Sequence, residues 1–147
     1  MKASQISHGR ADNIAIARNR KSENQKAKLL DTQYENSIEN SVFSWGCVTD
    51  SRLGFSDNLD KLISTKKEGL TNENAKKISC GYLHTFVLSN NGNLYSFGNN
   101  EYGQLGLGLN KPSKESNKLT NYKFDKIQSE ASIQWQLLTQ RKYIVWE

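Results

Sequence analysis

Residues 94–98 read Leu-Tyr-Ser-Phe-Gly, and residues 42–46 read Val-Phe-Ser-Trp-Gly. The same shift of 52 residues takes Leu-Gly-Phe at residues 53–55 to Leu-Gly-Leu at residues 105–107. Internal repeats with a period of a few tens of residues are typical of propellers and solenoids, in which each copy forms one unit that stacks on the next. The repeat therefore predicts a chain of stacked units before any local pattern is considered.

Two further segments connect and extend these copies. Residues 78–88 read Ile-Ser-Cys-Gly-Tyr-Leu-His-Thr-Phe-Val-Leu, and residues 98–108 read Gly-Asn-Asn-Glu-Tyr-Gly-Gln-Leu-Gly-Leu-Gly. Together they resemble the repeat of the RCC1 (regulator of chromosome condensation) family. That repeat has a Cys-Gly and His-Thr strand, a glycine turn, an aromatic-glycine strand, and an Asn-rich loop ending in Gly-Gln-Leu-Gly. The best match covers residues 76–110, and the resemblance implies an all-β fold of propeller blades.

The motif residues belong, by this resemblance, to the framework of the repeat. They are Trp45, Gly46, Leu53, Gly54, Cys80, Gly81, His84, Thr85, Gly92, Phe97, Gly98, Gly103, Gln104, Leu105 and Gly106. His84 is the one that could act as a ligand or a base, but the other histidine of the sequence, His8, is far away along the chain. The family pattern makes this position a buried histidine that bonds within the blade. We therefore predict no catalytic residue, no metal ligand and no cofactor.

The runs 84–88 and 94–98 carry the signal of a β-hairpin. They are apolar or β-branched, and residues 90–93 between them read Asn-Asn-Gly-Asn. Asn-Gly between two apolar runs favours a tight turn because both residues tolerate positive φ. We therefore predict a hairpin across residues 82–98, with Gly92 in its turn.

The predicted organisation has a basic polar arm at residues 1–41 and RCC1-like repeats after it. The repeats divide into 42–93, 94–142 and a degenerate end at 143–147. A third trace follows the second copy at a shift of 49 residues, but the motif glycines are replaced there. The sequence thus predicts about two to two and a half blades of an RCC1-like β-propeller, an incomplete ring.

The missing blades leave three explanations open. Propellers close with about four to eight blades, and the family's repeats usually build seven. An open arc of two blades would expose apolar faces and strand edges. The chain is a fragment or shortened copy of a longer gene product, or it associates with itself or another chain to complete the propeller, or it is a non-functional remnant. The sequence stops at Trp146-Glu147 in the middle of the motif, which favours a fragment.

The charge is concentrated at the N-terminus. Residues 1–28 carry seven basic and two acidic side chains, which accounts for the whole net charge of +5. The densest cluster is Arg18, Arg20 and Lys21. Such asymmetry suggests a tail that meets nucleic acid or an acidic surface, and the founding family member also has a basic N-terminal tail. The alternative is a solvated arm, disordered or partly helical, because it has few hydrophobic residues to bury.

Composition excludes several other classes. Hydrophobic residues make up 35% of the chain, and no apolar run approaches the length of a membrane span. The first residues contain no apolar segment of a secretory signal. Cys47 and Cys80 lack metal-ligand spacing, so we expect reduced thiols in small buried sites. We therefore predict a cytoplasmic or nuclear protein that does not associate with membranes.

The sequence supports several functions. The first is a non-enzymatic protein–protein interaction module, since propellers of this family present loops that bind proteins. The founding member suggests guanine-nucleotide exchange on a Ran-like small GTPase, and exchange factors act by differential binding rather than by side-chain chemistry. The basic arm suggests chromatin or nucleic-acid binding through residues 1–28. The repeats could also be a targeting appendage of the kind that larger ubiquitin-ligase or kinase relatives carry.

Overall fold

The chain folds into antiparallel sheets. The computed structural model describes residues 2–8, 12–20, 38–119, 123–129, 135–139 and 143–145. The strands are β1 (Lys2–His8), β2 (Asp12–Arg20), β3 (Ile38–Gly46), β4 (Lys61–Lys66), β5 (Ala75–Cys80), β6 (His84–Ser89), β7 (Leu94–Gly98), β8 (Ser113–Leu119), β9 (Phe124–Ser129), β10 (Trp135–Thr139) and β11 (Tyr143–Val145). Short 3-10 turns occupy Thr49–Ser51 and Glu68–Leu70. None of the helical segments in the described ranges is long or apolar enough to cross a membrane.

The strands form three sheets that stack in chain order. Sheet 1 has the order β1-β2-β3-β4, sheet 2 has the order β5-β6-β7-β8, and sheet 3 has the order β11-β10-β9. Strand β5 packs against β1 and β2 of the preceding sheet, and β9 packs against β5 and β6. The all-β prediction and the stacking of repeated units are therefore confirmed.

Apolar side chains between the sheets form two clusters. The cluster between sheets 1 and 2 contains Ile14, Ile16, Val42, Leu70, Ala75, Ile78, Val87, Tyr95 and Phe97. The cluster that joins sheet 2 to sheet 3 contains Phe86, Leu88, Leu94, Phe124 and Ile127. Sheet 2 thus buries both of its faces, which explains why β6 and β7 are buried at every position.

The predicted hairpin across residues 82–98 is formed by β6 and β7. Leu88 pairs with Leu94 at its closed end. The Ser89 amide donates to the Asn93 carbonyl at 2.9 Å, and the Gly92 amide donates to the Ser89 carbonyl at 3.0 Å. Gly92 has φ +74°, the left-handed conformation that the turn requires.

Substituting Gly92 with valine is expected to destabilise the fold by about 1–3 kcal/mol. A β-branched residue is strained at φ +74°, and its Cβ would lie 3.2 Å from the Phe124 carbonyl oxygen of the next sheet. Urea unfolding measures the change. Gly69→Val is the control, because no heavy atom lies within 4 Å of its added Cβ. Equal effects of the two substitutions would contradict a conformational role for Gly92.

The predicted disordered or helical state of the N-terminal arm is wrong for residues 2–8 and 12–20. These residues are β1 and β2, two strands of sheet 1. The physical reason is the run Ile14-Ala15-Ile16-Ala17, whose side chains are all buried. Such a run is too apolar for a solvated arm and fits an internal strand between β1 and β3. The arm supplies two strands of sheet 1, so the described strands form two four-stranded sheets and one three-stranded sheet, slightly more than the predicted two to two and a half blades.

Strand β1 also covers the inner edge of sheet 2. The Gln5 side-chain amide donates to the Ile78 carbonyl at 3.1 Å and accepts from the Ile78 amide at 3.0 Å. Two residues further along β5, the Cys80 amide donates to the Ser7 hydroxyl at 3.1 Å. Side chains of β1 therefore satisfy backbone groups of an edge strand that would otherwise stay open to other chains.

The weak third copy of the repeat corresponds to sheet 3. Ile127 lies 49 residues after Ile78, and these residues are 3% and 2% exposed at equivalent points of β9 and β5. Their burial shows why the hydrophobic pattern persists where the glycines are lost. Each new sheet must still cover the face of the preceding one.

Candidate functional site

The two loops that follow β3 and β7 have the same construction. The Ser44 hydroxyl donates to the Leu53 carbonyl at 3.1 Å, and the Ser96 hydroxyl donates to the Leu105 carbonyl at 3.0 Å. These pairs are related by the shift of 52 residues found in the sequence. The serine in each aromatic-glycine strand thus anchors the leucine of its own loop. The two copies of the motif are structural equivalents.

Asparagine and glutamine side chains hold the second loop in place. The Gln104 side-chain amide donates to the Asn99 side-chain oxygen at 2.7 Å and accepts from the Tyr102 backbone amide at 3.0 Å. The Asn100 side chain accepts from the Leu105 amide at 2.8 Å. In this loop the polar motif residues are used by the loop's own backbone rather than presented to solvent.

The first loop reaches the same shape with different residues. Arg52 stands where the second copy has Gln104. Its guanidinium donates to the Thr49 carbonyl at 2.7 Å and forms an ion pair with Asp50 at 2.8 Å. Leu53 and Gly54 then lie against sheet 2, so close that a Cβ on Gly54 would be 2.7 Å from the Phe97 ring. The first loop therefore packs on the aromatic strand of the second copy.

Replacing Ser51 with glycine is expected to stabilise the protein by about 0.5–1 kcal/mol. Ser51 has φ +61°, whereas the equivalent residue of the second loop is Gly103 with φ +75°. The reciprocal substitution Gly103→Ser should be destabilising by a similar amount. Its added Cβ would meet only the Asn110 side chain, at an ordinary 3.5 Å. Thermal unfolding of both variants tests these two predictions. A change of the melting temperature in the same direction for both variants would contradict them.

The Cys80–Thr85 segment is a tight connection built around His84. The Gly81 amide donates to the His84 carbonyl at 2.9 Å, and a Cβ on Gly81 would lie 2.2 Å from the imidazole. The His84 ring is 4% exposed and makes an edge contact with Phe86 at 5.4 Å. Burial lowers the pKa of His84 to about 4, so the ring is neutral at physiological pH. Thr85 donates to the Arg52 carbonyl at 3.3 Å, which ties this segment to the first loop.

Lowering the pH from 7 to 5 is expected to remove roughly 2 kcal/mol of stability through His84 alone. The folded protein keeps the imidazole neutral down to a pKa of about 4, whereas the unfolded chain binds a proton near 6.5. This contribution is therefore complete above pH 6.5 and is lost as the pH falls toward 4. Urea unfolding of the wild type and of His84→Gln at both pH values measures it. An equal loss of stability in the variant would contradict the assignment to His84.

An open cleft lies between the first loop and the outer strand of sheet 2. Its volume is about 380 Å³. It is lined by Val48, Thr49, Asp50, Ser51, Phe55, Asp57, Asn58 and Lys114. Lys114 comes from β8, where its ammonium donates to the Asn58 side chain at 2.9 Å. The cleft therefore needs both four-stranded sheets to form.

Charged groups surround the single aromatic ring of this cleft. The ammonium groups of Lys61 and Lys67 lie 5.0 Å and 5.2 Å from the centre of the Phe55 ring. Lys61 also pairs with Asp57 at 2.7 Å, and this hydrogen bond lowers the pKa of the Asp57 carboxyl. The Asp50 and Asp57 side chains remain 35% and 48% exposed, so both carboxylates still face solvent.

Exposed apolar side chains adjoin the cleft along the chain. Leu59 is 67% exposed directly after the cleft residue Asn58. Leu62 and Ile63 follow on β4, the outer strand of sheet 1, and are 92% and 77% exposed. Single exposed hydrophobic residues are common, and Leu62 and Ile63, as consecutive residues of a strand, point to opposite faces of sheet 1. Sequence reasoning missed this group because its residues lie between the two motif copies.

The remaining predicted residues do not line this cleft. Trp45 and Gly46 end β3, and both are half-buried. Arg18 and Arg20 are on β2, where they pair in register with Asn40 and Ile38. Lys21 lies outside the described residues. Cys47 and Cys80 are half-buried and not joined to each other, so the expected small buried sites are only partly buried.

Comparison with protein families matches this sequence to the regulator of chromosome condensation (RCC1) repeat over residues 39–88 and 91–123. A second description of the same repeat matches residues 75–104. The chain belongs to the RCC1 repeat family. The resemblance deduced from the motifs is therefore confirmed. The match contains both RCC1 loops and every residue that lines the cleft, but it begins after β1 and β2.

Individual RCC1 proteins share these repeats. The chain is 36% identical over 77 residues to the probable E3 ubiquitin-protein ligase HERC6 of Homo sapiens, covering 51% of this chain and 7% of that protein. It is 40% identical over 75 residues to the protein RCC2 homolog of Xenopus laevis, covering 48% of this chain and 14% of that protein. The chain thus spans less than a fifth of the length of the curated relatives that it matches.

Solved structures share the fold. Prp20p of Saccharomyces cerevisiae superposes with a TM-score of 0.72 at 19% sequence identity, over 98% of this chain and 33% of that one. At this identity the likeness establishes the fold alone, an RCC1 β-propeller of which this chain forms successive blades.

Proposed function

We propose that this RCC1 chain is a non-enzymatic protein-binding module, of the cytoplasm or nucleus, that binds a polypeptide segment in the cleft between its first loop and β8. The observation that carries the proposal is the cleft itself, with the exposed Leu59 at its margin. The shared fold supports a binding role, because the binding properties of the structural neighbour Prp20p to Gsp1p and histones have been described.

The chemistry of the cleft suits a peptide that is partly apolar and partly basic. A volume of about 380 Å³ accommodates one or two side chains rather than a folded domain. Phe55 offers an aromatic surface, and the carboxylates of Asp50 and Asp57 offer acceptor oxygens that their own partners do not fully occupy. Binding energy in such sites is concentrated in a few buried anchors surrounded by polar contacts.

Selection from a random peptide library, followed by calorimetry on the best peptide, tests this proposal. Asn58→Arg places a long cation in the cleft and should weaken binding roughly tenfold or more, a loss of about 1.4 kcal/mol. The matched control is Asn110→Arg, the same change at the position that the repeat makes equivalent to Asn58. Failure to select any peptide, or equal weakening by both variants, would refute the cleft as the binding site.

A second candidate function is guanine-nucleotide exchange on a Ran-like small GTPase. It is supported by the structural neighbour Prp20p, whose binding to Gsp1p and histones has been described, and by the RCC2 relative. An exchange factor would bind the nucleotide-free GTPase more tightly than the nucleotide-bound form. Stopped-flow measurement of labelled-nucleotide release decides this, and release that is unchanged at high protein concentration would exclude it.

Nucleic-acid binding through residues 1–28 is a further candidate, supported by the cluster Arg18, Arg20 and Lys21. Three phosphate contacts would give a log–log salt dependence with a slope of about −3 on duplex DNA. Changing all three residues to glutamine should abolish this slope. A triple change at Lys76, Lys77 and Lys118 removes the same charge elsewhere and should leave it unchanged. Deleting the arm would be a poor test, because β1 and β2 belong to sheet 1.

A further inference from the structure

The outer strands of sheets 1 and 2 share a backbone irregularity but differ in their side chains. The shift of 52 residues makes β4 equivalent to residues 113–118 of β8. After the pair Ser44–Thr65, the register between β3 and β4 shifts by two residues. After the equivalent pair Ser96–Asn117, the register between β7 and β8 shifts in the same way. Because the two strands share this bulge, their side chains determine how open each edge is to other chains.

Polar side chains protect the edge of β8. Lys114 and Glu115 place charges at the centre of this strand, and charged residues, lysine above all, keep sheet edges from pairing with other chains. Side chains also satisfy the backbone here. The Glu115 carbonyl accepts from the Ser113 hydroxyl at 3.0 Å and from the Asn117 side-chain amide at 2.8 Å. Strand β8 therefore has the properties of an edge that does not pair.

The equivalent edge of β4 has apolar residues in place of these charges. Leu62 stands at the position of Lys114, and Ile63 stands at the position of Glu115. These two side chains are 92% and 77% exposed, and the next residue, Ser64, is exposed as well. An exposed strand edge that is apolar and uncharged at its centre is a template for pairing with another strand.

Alternate backbone groups of β4 point away from β3. The Lys67 amide, directly after β4, donates to the Val42 carbonyl at 2.8 Å. In an antiparallel pair, residues whose backbone groups face the partner alternate with residues whose groups face away. The two extra residues of the bulge leave this alternation in phase, because two residues are one full period of a strand. Counted back from Lys67, the backbone groups of Lys66, Ser64 and Leu62 face the open edge of sheet 1.

We propose that β4 pairs in antiparallel orientation with β4 of a second copy of this chain, so that the two copies of sheet 1 form one continuous sheet. The contact is centred on Ile63, which lies opposite Ile63 of the other copy. Leu62 lies opposite Ser64, and Asp60, directly before the strand, lies opposite Lys66. Each of these pairs occurs twice, because a twofold axis relates the two copies.

Backbone phase and charge together select this register. Residues that face the open edge must lie opposite residues that also face it, because such residues exchange amide–carbonyl hydrogen bonds. A shift by one residue violates this condition and also places Lys61 opposite Lys66. A register centred on Ser64 keeps the phase but places Asp60 opposite Glu68, again two like charges, which destabilise a strand pair. The proposed register instead places a carboxylate opposite an ammonium group at both ends of the contact.

The carboxylate at the end of the contact is already held in place. Asp60 is exposed, and its Oδ1 accepts from the Val48 amide at 2.8 Å, which fixes the side chain beside β4. None of the six residues of β4 lines the cleft, so loss of this contact would leave the proposed peptide binding intact. A contact of this length lies at the small end of specific interfaces, so we expect pairing that depends on concentration.

Light scattering of the 147-residue chain over a roughly hundredfold dilution series tests the pairing through mass action. The mass is expected to rise from 16.7 kDa toward twice that value as the concentration increases. Ile63→Lys should lower the association constant roughly tenfold or more, because it places like charges opposite each other at the centre of the contact. Glu115→Lys is the matched control, since it introduces the same side chain at the equivalent position of β8 and should leave the mass unchanged.

Charge reversal tests the register. Lys66→Glu and Asp60→Lys should each weaken the pairing, because each places like charges opposite each other at both ends of the contact. The double variant restores opposite charges and should recover the wild-type dependence of mass on concentration. Within one copy, Asp60 and Lys66 are six residues apart along an extended segment, about 20 Å. Recovery therefore reports a contact between copies rather than an effect inside one chain.

Each remaining outcome overturns the inference. A wild-type chain of single-copy mass at every concentration leaves the edge of β4 to a strand of a different protein. Masses that grow beyond two copies mean that the contact does not close as a pair. Equal weakening by Ile63→Lys and Glu115→Lys places the contact elsewhere, and a double variant that stays as weak as the single variants refutes the register. Circular dichroism checks that each variant keeps its β structure, and a single-copy wild type decides against pairing even where a variant does not fold.

Discussion

Replacing Phe97 with alanine is expected to reduce the free energy of unfolding by about 3–5 kcal/mol. The ring is fully buried at the junction of sheets 1 and 2, where it packs in the larger of the two clusters. It also supports Gly54 of the first loop and lies 5.5 Å from the Lys67 ammonium. Removal of the ring therefore leaves a cavity and also deprives the buried Lys67 ammonium of an aromatic neighbour. Urea unfolding followed by circular dichroism measures the loss.

Two other aromatic residues provide the comparison for Phe97. Trp45 occupies the equivalent place in sheet 1 but is only half-buried, so Trp45→Ala should destabilise the fold less. Tyr102, 69% exposed in the second loop, should give a change within about 0.5 kcal/mol. The sequence alone predicts similar losses at Trp45 and Phe97, and the structure separates them. A loss at Phe97 no larger than that at Tyr102 would contradict the packing of the two sheets.

Local signals in the sequence predicted a large part of this fold. The hairpin of β6 and β7 follows from a short turn between two apolar runs. The turn sets the register of the two strands, without contacts from residues that are distant along the chain. The equivalence of Ser44 with Ser96 follows from the repeat, because the same five-residue strand builds the same loop. These features depend on contacts between residues that are close along the chain.

Features that depend on distant pairing were not predicted. Strand β2 has only four apolar residues in a basic segment, and its partner β3 begins after residues 21–37. The charged residues at the ends of β2 favoured the prediction of a solvated arm. Ile14 and Ile16 are buried only because sheet 2 packs against them. The cleft is similar, because Lys114 reaches Asn58 across 56 residues of chain. Neither contact has a local sequence signal.

The environment of Lys67 is a further feature that the sequence did not predict. The shift of 52 residues makes it equivalent to Leu119, which packs against the cluster between sheets 2 and 3. Lys67 is 6% exposed, its ammonium donates to the Gly54 carbonyl, and burial lowers its pKa. A lysine at a position of the repeat that is otherwise apolar is accommodated by Phe55 and Phe97, whose rings face the cation. Composition alone would place this residue on the surface.

Gly98→Ala is expected to destabilise the protein by about 3 kcal/mol or more. Gly98 ends β7 with φ +116°, a conformation that residues with a Cβ rarely adopt. It also lies directly opposite His84, and an added Cβ would be 2.4 Å from the Leu83 carbonyl oxygen and 2.7 Å from the His84 Cα. Both contacts are with backbone, so no side-chain rotation can relieve them. The same Leu83 carbonyl accepts from the Asn99 amide at 2.8 Å, and its displacement would break the entry to the second loop.

Gly108→Ala provides a comparison at a glycine with positive φ and no close contacts. Gly108 has φ +71°, but no heavy atom lies within 4 Å of its added Cβ. Its substitution should therefore be destabilising only through the backbone conformation, by about 1 kcal/mol. Urea unfolding of the two variants then measures, as their difference, the cost of the backbone contacts of Gly98 together with the cost of its larger φ. If the two losses are equal, the close approach of β7 to the Leu83–His84 backbone is not what requires glycine at position 98. The backbone conformation alone would then explain glycine at the end of both aromatic strands, since the equivalent Gly46 has φ +122°.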